Sequence, residues 1–344
     1  MNRIESVDVF RLIAIIAVIA IHTTPFRYAE NTGGDLYKYL DLLINQASRF
    51  AVPFFFIISG YFWGMKIRRG DDVYQVSLSM SKRIFFIFLA WSFIYLLPLN
   101  IGAIVEFGLS GPFDLAYNNW SNLIHDPVRL IFEGSRVHLW YLTSLIISLL
   151  ITAFLVAKNL SKTLLVTALV LYVVGVLAKA YVDTPIGIQL DFNTRNGPFF
   201  GMLLFVSGYL LSARQSNEKW FYYGFGLFLL GFVLHFTEIF MVWTRFETSP
   251  RQDFVFGTFF MGFGVALAAL SNHRWLRSPR LGRIGQLTLG IYAVHFLFVE
   301  ILAPIEKRFD HVLWELSYIL IVLVLSIVVT LWMAKSRFLK KIVV

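Results

Sequence analysis

Residues Arg3–Pro25 read RIESVDVFRLIAIIAVIAIHTTP, and this stretch decides the fold. Its core, Leu12–Ile21, contains only aliphatic residues and alanine, and with its flanks it is long enough to cross a bilayer. Ionisable side chains stand at both ends of that core, with Asp8 and Arg11 before it and His22 after it. Such groups are costly in lipid, so they are functional candidates.

Arg11 and His22 are separated by about three helical turns, which places them on nearly the same face, about 16 Å apart along the axis. A guanidinium stays charged and offers forked donors to phosphate, while an imidazole exchanges protons near neutral pH. One hypothesis is that Arg11 binds an anionic donor through its phosphates and that His22 acts as a general base or acyl acceptor. The alternatives are structural: His22 hydrogen-bonds a neighbouring helix, and Arg11 anchors at the headgroups or pairs with Asp8.

The composition of the whole chain is that of an integral membrane protein. Of its 344 residues 58% are hydrophobic and 15% are charged, whereas about 25% charge is usual in soluble domains. No segment between the apolar stretches is long enough to bury its own core, so the sequence predicts a single membrane-embedded domain over residues 1–344. Cysteine is absent, which excludes disulfides and thiolate catalysis. The net charge of +9 is spread over short loops, so nucleic acid is not an expected partner.

Hydropathy predicts an all-α fold with about ten transmembrane helices. The predicted spans are Asp8–Pro25, Ala47–Met65, Ile84–Leu99, His138–Ala157, Leu164–Tyr181, Phe199–Ala213, Trp220–Phe236, Phe254–Ser271, Gln286–Ala303 and Leu313–Ala334. The third is expected to continue as an interfacial piece, Ile101–Leu109. An even number of spans places both termini on one side.

Basic residues give the orientation. The face that carries both termini collects 19 of the 30 Lys and Arg residues but 5 of the 21 Asp and Glu residues, an excess typical of a cytoplasmic face. It comprises the amino terminus, Lys66–Arg83, Lys158–Lys162, Arg214–Lys219, His273–Arg283 and Lys335–Lys341. The sequence thus predicts a protein of the cytoplasmic (inner) membrane with cytoplasmic termini. The long outer connection Asn100–Val137 is predicted to form a lid or substrate platform.

Further polar residues are predicted at the outer ends of other spans. Arg49 would hold the acceptor or a developing oxyanion, and His138 would line the acceptor cleft. Arg195 and Asn196 form a hydrogen-bonding cluster suited to a sugar or to the carbonyl of the donor. The alternatives are an interfacial anchor for Arg49, an aromatic belt around His138 and an ordinary helix-start loop at Arg195 and Asn196.

Two motifs inside spans have mainly structural interpretations. Tyr292 and His295 share a helix face and are expected to hydrogen-bond a neighbouring helix, with substrate contact as the functional alternative. Ser59–Gly60 is predicted to be a close-packing notch between helices. No metal site is expected, because no His pair at i, i+4 and no acidic cluster accompanies the intramembrane histidines.

Five stretches in this order carry a family resemblance: Arg11 with ten residues before His22, VPFFFIISGYFW at Val52–Trp63, HLWYL at His138–Leu142, TRNGPFFG at Thr194–Gly201 and LGIYAVH at Leu289–His295. Together they resemble the acyltransferase-3 family of membrane O-acyltransferases, of the standalone glycan O-acetyltransferase type. The family often has Gly where this chain has Leu12. Larger members carry a carboxy-terminal esterase-like domain, and we expect this chain to act without one.

The resemblance implies transfer of an acyl group, commonly acetyl, from cytoplasmic acyl-CoA to a hydroxyl of an extracytoplasmic or lipid-linked glycan. The motif match implies essential roles for His22 and Arg11, with Asp8 beside them, and less directly for Arg49 and Arg195. Arg11, Lys82 and Arg83 are expected to engage the phosphates of CoA. The expected partners are acyl-CoA, the glycan and membrane lipids.

Two rival hypotheses remain from the sequence. In the first, the protein is a transporter or flippase of a lipid-linked sugar or acylated metabolite, and its intramembrane Arg, Asp and His residues form a proton or substrate relay. The lack of an inverted repeat counts against it. In the second, the protein is a membrane partner of other proteins and its histidines are only structural.

Overall fold

The computed structural model describes residues 3–26, 34–306, 308 and 311–343. Helices make up 76% of the structure, and these residues contain no strand, which confirms the all-α prediction. Their α-helices are α1 (Glu5–Thr23), α2 (Asp35–Ala47), α3 (Ala51–Ile67), α4 (Val73–Ile94), α5 (Ala103–Phe107), α6 (Gly111–His125), α7 (Pro127–Glu133), α8 (Trp140–Ala157), α9 (Ser161–Leu177), α10 (Pro198–Leu211), α11 (Lys219–Phe246), α12 (Phe256–Leu270), α13 (Pro279–Gly285), α14 (Thr288–Glu306) and α15 (Val312–Lys335).

Each of the ten predicted spans overlaps one of these helices. Among the described residues, seven helical stretches are long and apolar enough to cross a membrane: Glu5–Thr23, Asp35–Ile67, Val73–Ile94, Val137–Ala157, Lys219–Phe246, Thr288–Glu306 and Val312–Lys335. Three shorter apolar helices, α9, α10 and α12, accompany them. The chain is therefore an integral membrane protein, while ten crossings and cytoplasmic termini stay predictions.

The third predicted span is placed too late in the sequence. Instead of Ile84–Leu99, the structure has a helix over Val73–Ile94, so the predicted loop Lys66–Arg83 is wrong in its second half. Asp72 explains the early start, because its carboxylate oxygen accepts a hydrogen bond from the backbone N–H of Gln75 at 2.7 Å. Such a cap starts a helix even where the first turns are too polar to raise the hydropathy.

Two further segments contain helices that the sequence analysis does not specify. The predicted lid or substrate platform Asn100–Val137 contains the short helices α5, α6 and α7, and α5 lies within the predicted interfacial piece Ile101–Leu109. The sequence predicts no element at α2, whose buried side chains are the polar Asp41, Asn45 and Gln46. Hydropathy cannot reveal a helix whose buried face is polar. A lid function for Asn100–Val137 stays a prediction.

The residues group into two compact units. The first unit comprises Met1–Ala14, Arg49–Phe85 and Tyr141–Gly285, and the second comprises Ile15–Ser48, Phe86–Trp140 and Gln286–Val344. Helix α1 thus contributes its amino-terminal half to the first unit and its carboxy-terminal half to the second. The prediction of a single membrane-embedded domain over residues 1–344 stays a prediction.

In the first unit, α3 packs closely against α10 through a pair of glycines. A Cβ atom on Gly60 would lie 2.0 Å from the carbonyl oxygen of Phe205, and one on Gly208 would lie 1.9 Å from that of Ile57. Small residues allow such close approach of helix backbones. Ser59–Gly60 is therefore the close-packing notch that the sequence predicts.

In the second unit, side chains of α4 and its carboxy-terminal turn tie separate segments together. The indole Nε1 of Trp91 donates to the carbonyl oxygen of Ile342 at 2.9 Å. The hydroxyl of Tyr95 donates to the carbonyl oxygen of Ala293 on α14 at 2.7 Å. Both aromatic side chains are buried, and buried Trp and Tyr residues need such partners for their polar atoms. These bonds hold the end of α4 against α14 and against the turn Leu339–Ile342 that follows α15.

Candidate functional site

Three histidines of the second unit come together as the histidine cluster: His22 on α1, His138 in the turn Val137–Leu139 and His295 on α14. The ring centroid of His295 lies 5.3 Å from that of His22 and 5.2 Å from that of His138. The centroids of His22 and His138 are 6.3 Å apart. His138 and His295 are buried and His22 is half-buried. Each is a predicted site residue, but no sequence pattern predicts that they meet.

The hydrogen bond of His295 indicates which of its ring nitrogens carries the proton. Its Nδ1 lies 2.6 Å from the carbonyl oxygen of Tyr292, one turn earlier on the same helix. A carbonyl oxygen only accepts, so Nδ1 is the donor, and the lone pair of the neutral ring lies on Nε2. In the described residues Nε2 is buried without a hydrogen-bond partner. The predicted bond to a neighbouring helix is thus wrong for His295, since its bond is within its own helix.

His138 is held among aromatic rings. It stacks on Phe296 with 4.8 Å between centroids and lies 5.2 Å from the ring of Tyr95. The hydroxyl of Tyr292 donates to the backbone carbonyl of His138, which ties α14 to the turn as predicted for Tyr292. Within the part of the chain that the structure describes, neither ring nitrogen of His138 has a hydrogen-bond partner. Because buried polar groups are normally bonded, this ring is a candidate to contact a bound group.

A cavity of about 100 Å³ lies beside the histidine cluster, because Tyr95 lines the cavity and its ring is 5.2 Å from that of His138. Arg136 and Glu300 form an ion pair in its wall, with Nε 2.5 Å from Oε1. The carbonyl oxygen of the Asn100 side chain is buried there, without a hydrogen-bond partner among the described residues. Part of the wall comes from the predicted outer connection Asn100–Val137. The cavity therefore offers both donors and acceptors of hydrogen bonds.

In the first unit, Asp8 lies between two arginines. Its carboxylate is buried and accepts hydrogen bonds from Nε of Arg3 at 2.7 Å and from Nη1 of Arg11 at 2.8 Å. The backbone at Asp8 is also packed tightly, since a Cβ atom on Gly285 would lie 1.8 Å from its carbonyl oxygen. The sequence leaves the pairing of Asp8 with Arg11 open as an alternative, and the structure shows that pair.

The three residues predicted to bind the donor all belong to the first unit. Arg11 keeps 31% of its side chain exposed and places its guanidinium 5.5 Å from the ring centroid of Phe62. Lys82 and Arg83 are exposed on α4, not in a loop. The cationic groups of all three are accessible to an anion.

Arg49 and Arg195, predicted separately, meet at one carboxylate of the first unit, that of Asp253. The Nη1 atom of Arg49 lies 3.0 Å from Oδ1 of Asp253. The other carboxylate oxygen, Oδ2, lies 3.3 Å from Nζ of Lys179 and 3.6 Å from Nη1 of Arg195. The four side chains keep 14–30% of their surface exposed. We call these four residues the Asp253 cluster.

The charges in this cluster control the ionisation of Asp253. Burial by itself raises the pKa of the Asp253 carboxyl. The positive charges of Arg195, Arg49 and Lys179 outweigh that effect and hold this pKa well below its ordinary value. Asp253 is therefore a carboxylate throughout the physiological range of pH.

Asn196 lies beside Arg195 in the turn that begins α10. The backbone N–H of Arg195 donates to the side-chain oxygen of Asn193 at 3.1 Å, and that of Asn196 donates to the Asn193 carbonyl at 3.0 Å. Thr194 fixes the turn by donating to the carbonyl oxygen of Gly175 at 2.8 Å. Gly197, with a φ of 74°, adopts the left-handed backbone that begins the helix. This local folding sets the position of Arg195.

Sequence reasoning missed the acids and several partners of these sites: Tyr95, Arg136, Lys179, Asp253 and Glu300. A signal was present for the acids, because a carboxylate beside a span needs a cation or a donor. That rule nominates Asp253 and Glu300 but does not identify their partners. The described residues contain no group of three or more His, Cys, Asp or Glu side chains that could hold a metal ion.

Comparison with known proteins gives relatives that are longer than this chain. An amino-acid racemase of Enterococcus faecalis is 26% identical over 345 positions, which cover 95% of this chain and 45% of that protein. A serine/alanine racemase of Enterococcus gallinarum is 28% identical, with 94% and 45% covered. The chain thus spans less than half the length of these relatives. No solved structure matches.

A comparison with protein families gives a match over nearly the whole chain. The model of the acyltransferase domain of acyltransferase-3 proteins covers residues 4–335. This range includes the histidine cluster, Asp8 with its arginines and the Asp253 cluster. The chain therefore belongs to the acyltransferase-3 family.

Proposed function

We propose that this chain transfers an acyl group, with acetyl as the working assignment, from cytoplasmic acyl-CoA to a hydroxyl of an extracytoplasmic or lipid-linked glycan. The family supplies the reaction class. The histidine cluster is the observation that carries the proposal, because acyl transfer to an alcohol needs a general base beside the acceptor hydroxyl, and an imidazole nitrogen can accept that proton. The expected location is the cytoplasmic (inner) membrane of a cell that modifies a surface polysaccharide.

His22 is the general base in this proposal. Its ring takes the proton of the acceptor hydroxyl as the oxygen attacks the carbonyl carbon of the thioester. The carbon–sulfur bond then breaks, and its electron pair leaves with the CoA thiolate, which takes up a proton on release. His138 and His295 lie within 6.3 Å of His22, centre to centre, and bond the acceptor or share its proton.

We place the hydroxyl group of the acceptor, with the carbon that bears it, in the cavity beside Tyr95. Its volume of about 100 Å³ leaves room for a hydroxyl-bearing group of the acceptor. The side chain of Asn100 and the Arg136–Glu300 pair supply acceptors and donors that suit hydroxyl groups. Tyr95 connects this cavity to the ring of His138.

The phosphates of the donor are assigned to Arg11, Lys82 and Arg83. Guanidinium groups bind phosphate through paired donors and ammonium groups bind it as point charges. Asp8 holds the guanidinium of Arg11 and is a positioning residue in this proposal. We assign Arg49, Arg195 and Asn196 to the acceptor side.

Two other activities, racemisation and transport, are not part of this proposal. Racemisation is named only for relatives of which this chain spans less than half, so it is not carried over. A transporter or flippase of a lipid-linked sugar remains the rival hypothesis, in which the three imidazoles would relay protons. The two hypotheses differ in whether acyl-CoA is consumed.

The test is mass spectrometry of surface and lipid-linked glycans from cells that express wild type, His22→Ala or His125→Ala. His125 is an exposed histidine on α6, bonded to the carbonyl of Ser121 in its own helix, and serves as the matched control. We expect an added acyl mass with wild type and His125→Ala and none with His22→Ala, at equal protein levels in the membrane. Acylated glycan in the His22→Ala cells would reject the assignment. Proton-dependent sugar flux without acyl-CoA consumption would instead support the transporter.

A second experiment separates the two chemical roles of His22. The purified wild-type chain is incubated with acyl-CoA and no acceptor, digested and analysed by mass spectrometry. An acyl adduct on His22 that disappears when acceptor is added identifies this residue as an acyl acceptor. An unmodified His22 in an active preparation identifies it as the general base.

A further inference from the structure

We propose that the Asp253 cluster binds a phosphate dianion carried by the acceptor. The cluster consists of Arg49, Lys179 and Arg195 around the carboxylate of Asp253. The inference rests on the proposed function for the identity of the acceptor, whereas anion binding itself is tested without any acyl transfer. The proposal goes beyond positioning by single arginines, because it names the chemical group that the acceptor must present.

The charges of the Asp253 cluster do not balance within the cluster. One carboxylate faces three cations, all within 3.6 Å of its oxygens. Arg49 is attracted by Asp253 and is repelled by the like charges of Arg195 and Arg251. The cluster therefore presents an excess of positive charge, which an anion with more than one negative charge would neutralise best.

The hydrogen-bond donors of the cluster are gathered around one carboxylate. Asp253 Oδ1 bonds Arg49, while Oδ2 contacts both Lys179 and Arg195, so a single side chain gathers the three cations before a ligand arrives. An ionised phosphate monoester carries about −1.5 to −2 charge at neutral pH and offers three acceptor oxygens. Two guanidinium groups and one ammonium group match that number of oxygens.

The Asp253 cluster is accessible from outside the protein. Each side chain of the cluster retains between 14% and 30% of its surface exposed, so an anion can reach it. All four residues lie at helix ends: Arg49 before α3, Lys179 after α9, Arg195 before α10 and Asp253 before α12. Helix ends in a membrane protein are where headgroup-level phosphates are found, and the predicted topology puts these ends on the outer face, where the acceptor is expected.

The test measures the thermal midpoint of the purified full chain in detergent against rising inorganic pyrophosphate, with sodium chloride at matched ionic strength as reference. We expect a saturable rise for wild type. In Arg195→Gln and in Lys179→Gln the half-saturating concentration should rise about tenfold, because each variant removes one charge-assisted contact. Two variants are used so that poor folding of one does not decide the result.

Arg245→Gln is the matched control. Arg245 is an exposed arginine at the carboxy-terminal end of α11, outside the Asp253 cluster. We expect its response to pyrophosphate to equal that of wild type. The proposal is overturned if wild type shows no saturable rise, or if Arg195→Gln, Lys179→Gln and Arg245→Gln all respond as wild type does.

Two further experiments identify the source of the phosphate. Free CoA should protect Arg195→Gln as well as wild type, because its phosphates are assigned to Arg11, Lys82 and Arg83. If CoA protection is lost in Arg195→Gln and kept in Arg11→Ala, the donor assignment of the proposed function is wrong. Nanodiscs of phosphatidylglycerol and of phosphatidylcholine give the last comparison. Loss of the pyrophosphate response only in phosphatidylglycerol would assign the cluster to a lipid headgroup and overturn its role toward the acceptor.

Discussion

The two units of this protein treat their buried polar groups in different ways. In the first unit, Asp8 and Asp253 form ion pairs with arginine and lysine side chains. In the second unit, the histidine cluster bonds to a backbone carbonyl and packs on aromatic rings, with one ion pair in the cavity wall. Charges that are compensated by ion-pair partners suit binding and stability, whereas imidazoles held by a carbonyl oxygen and by aromatic rings suit hydrogen bonding to a substrate. Variants in each unit test this difference between the first and the second unit.

Among the variants that compare the two units, the largest effect is expected from His295→Asn in the second unit. An asparagine amide can replace the Nδ1 donor to the carbonyl of Tyr292, but it leaves nothing at the position of Nε2. We therefore expect acyl transfer to fall about a hundredfold or more with little change in the thermal midpoint. Steady-state transfer and thermal unfolding of the same preparation provide the measurement.

His235→Asn is the matched variant in the first unit. His235 is also fully buried, and its Nδ1 lies 2.9 Å from the hydroxyl oxygen of Thr258. Because no chemistry is assigned to His235, its replacement should leave the transfer rate per folded molecule unchanged, with a change in the thermal midpoint similar to that of His295→Asn. Equal losses of transfer in both variants would show that the division between the units is wrong.

The next effect in size is the destabilisation by Asp253→Asn. This change leaves three cations close together without their shared carboxylate. Removal of one partner from a buried ion pair costs about 3–5 kcal/mol, and partial exposure reduces that to about 2 kcal/mol here. Thermal unfolding in detergent checks it, and an unchanged midpoint would mean that the ion pairs of the first unit contribute nothing to stability.

The ion pairs of Asp253 also predict the direction of a pH dependence of stability. The cations hold the pKa of Asp253 in the folded chain below its ordinary value of 3.8. A depressed carboxyl pKa contributes stability that is fully present above the ordinary pKa and is lost as the pH falls toward the folded pKa. The difference in midpoint between wild type and Asp253→Asn should thus be constant above about pH 5 and should shrink below pH 4.

Features that depend on a single helix can be predicted from the sequence. Asp8 with Arg11 and Tyr292 with His295 lie one turn apart, and helical periodicity alone predicts that each pair shares a face. The apolar spans are equally readable, because lipid imposes a long hydrophobic run. The start of α4 is not, since a single cap at Asp72 extends the helix through a polar stretch.

Contacts between segments that are distant in the sequence are not predicted by periodicity or hydropathy. Arg49 and Asp253 are 204 residues apart and meet only after the helices have packed. The histidine cluster has the same origin, because α1, the turn before α8 and α14 each supply one ring. Periodicity and hydropathy describe one helix at a time. They therefore identify such residues one by one and do not predict which of them come into contact.

A smaller effect is expected for Arg11→Ala, which tests binding in the first unit. Loss of one charge-assisted contact to a phosphate should raise the KM for acyl-CoA about tenfold and leave kcat nearly unchanged. Arg214→Ala, which removes another exposed arginine of the first unit, is the control and should change neither constant. A fall in kcat without a change in KM would move Arg11 from donor binding to the chemical step.

The smallest effect compares two buried tyrosines, one in each unit. The Tyr292 hydroxyl donates to the carbonyl of His138, and that of Tyr172 donates to the carbonyl of Val255 at 2.9 Å. Replacing either by Phe removes one hydrogen bond and should cost about 1 kcal/mol, seen in thermal unfolding. Only Tyr292→Phe should also slow transfer by a few-fold, because its bond positions the turn that carries His138. If Tyr172→Phe slows transfer equally, the turn at His138 has no special role and the histidine cluster is only structural.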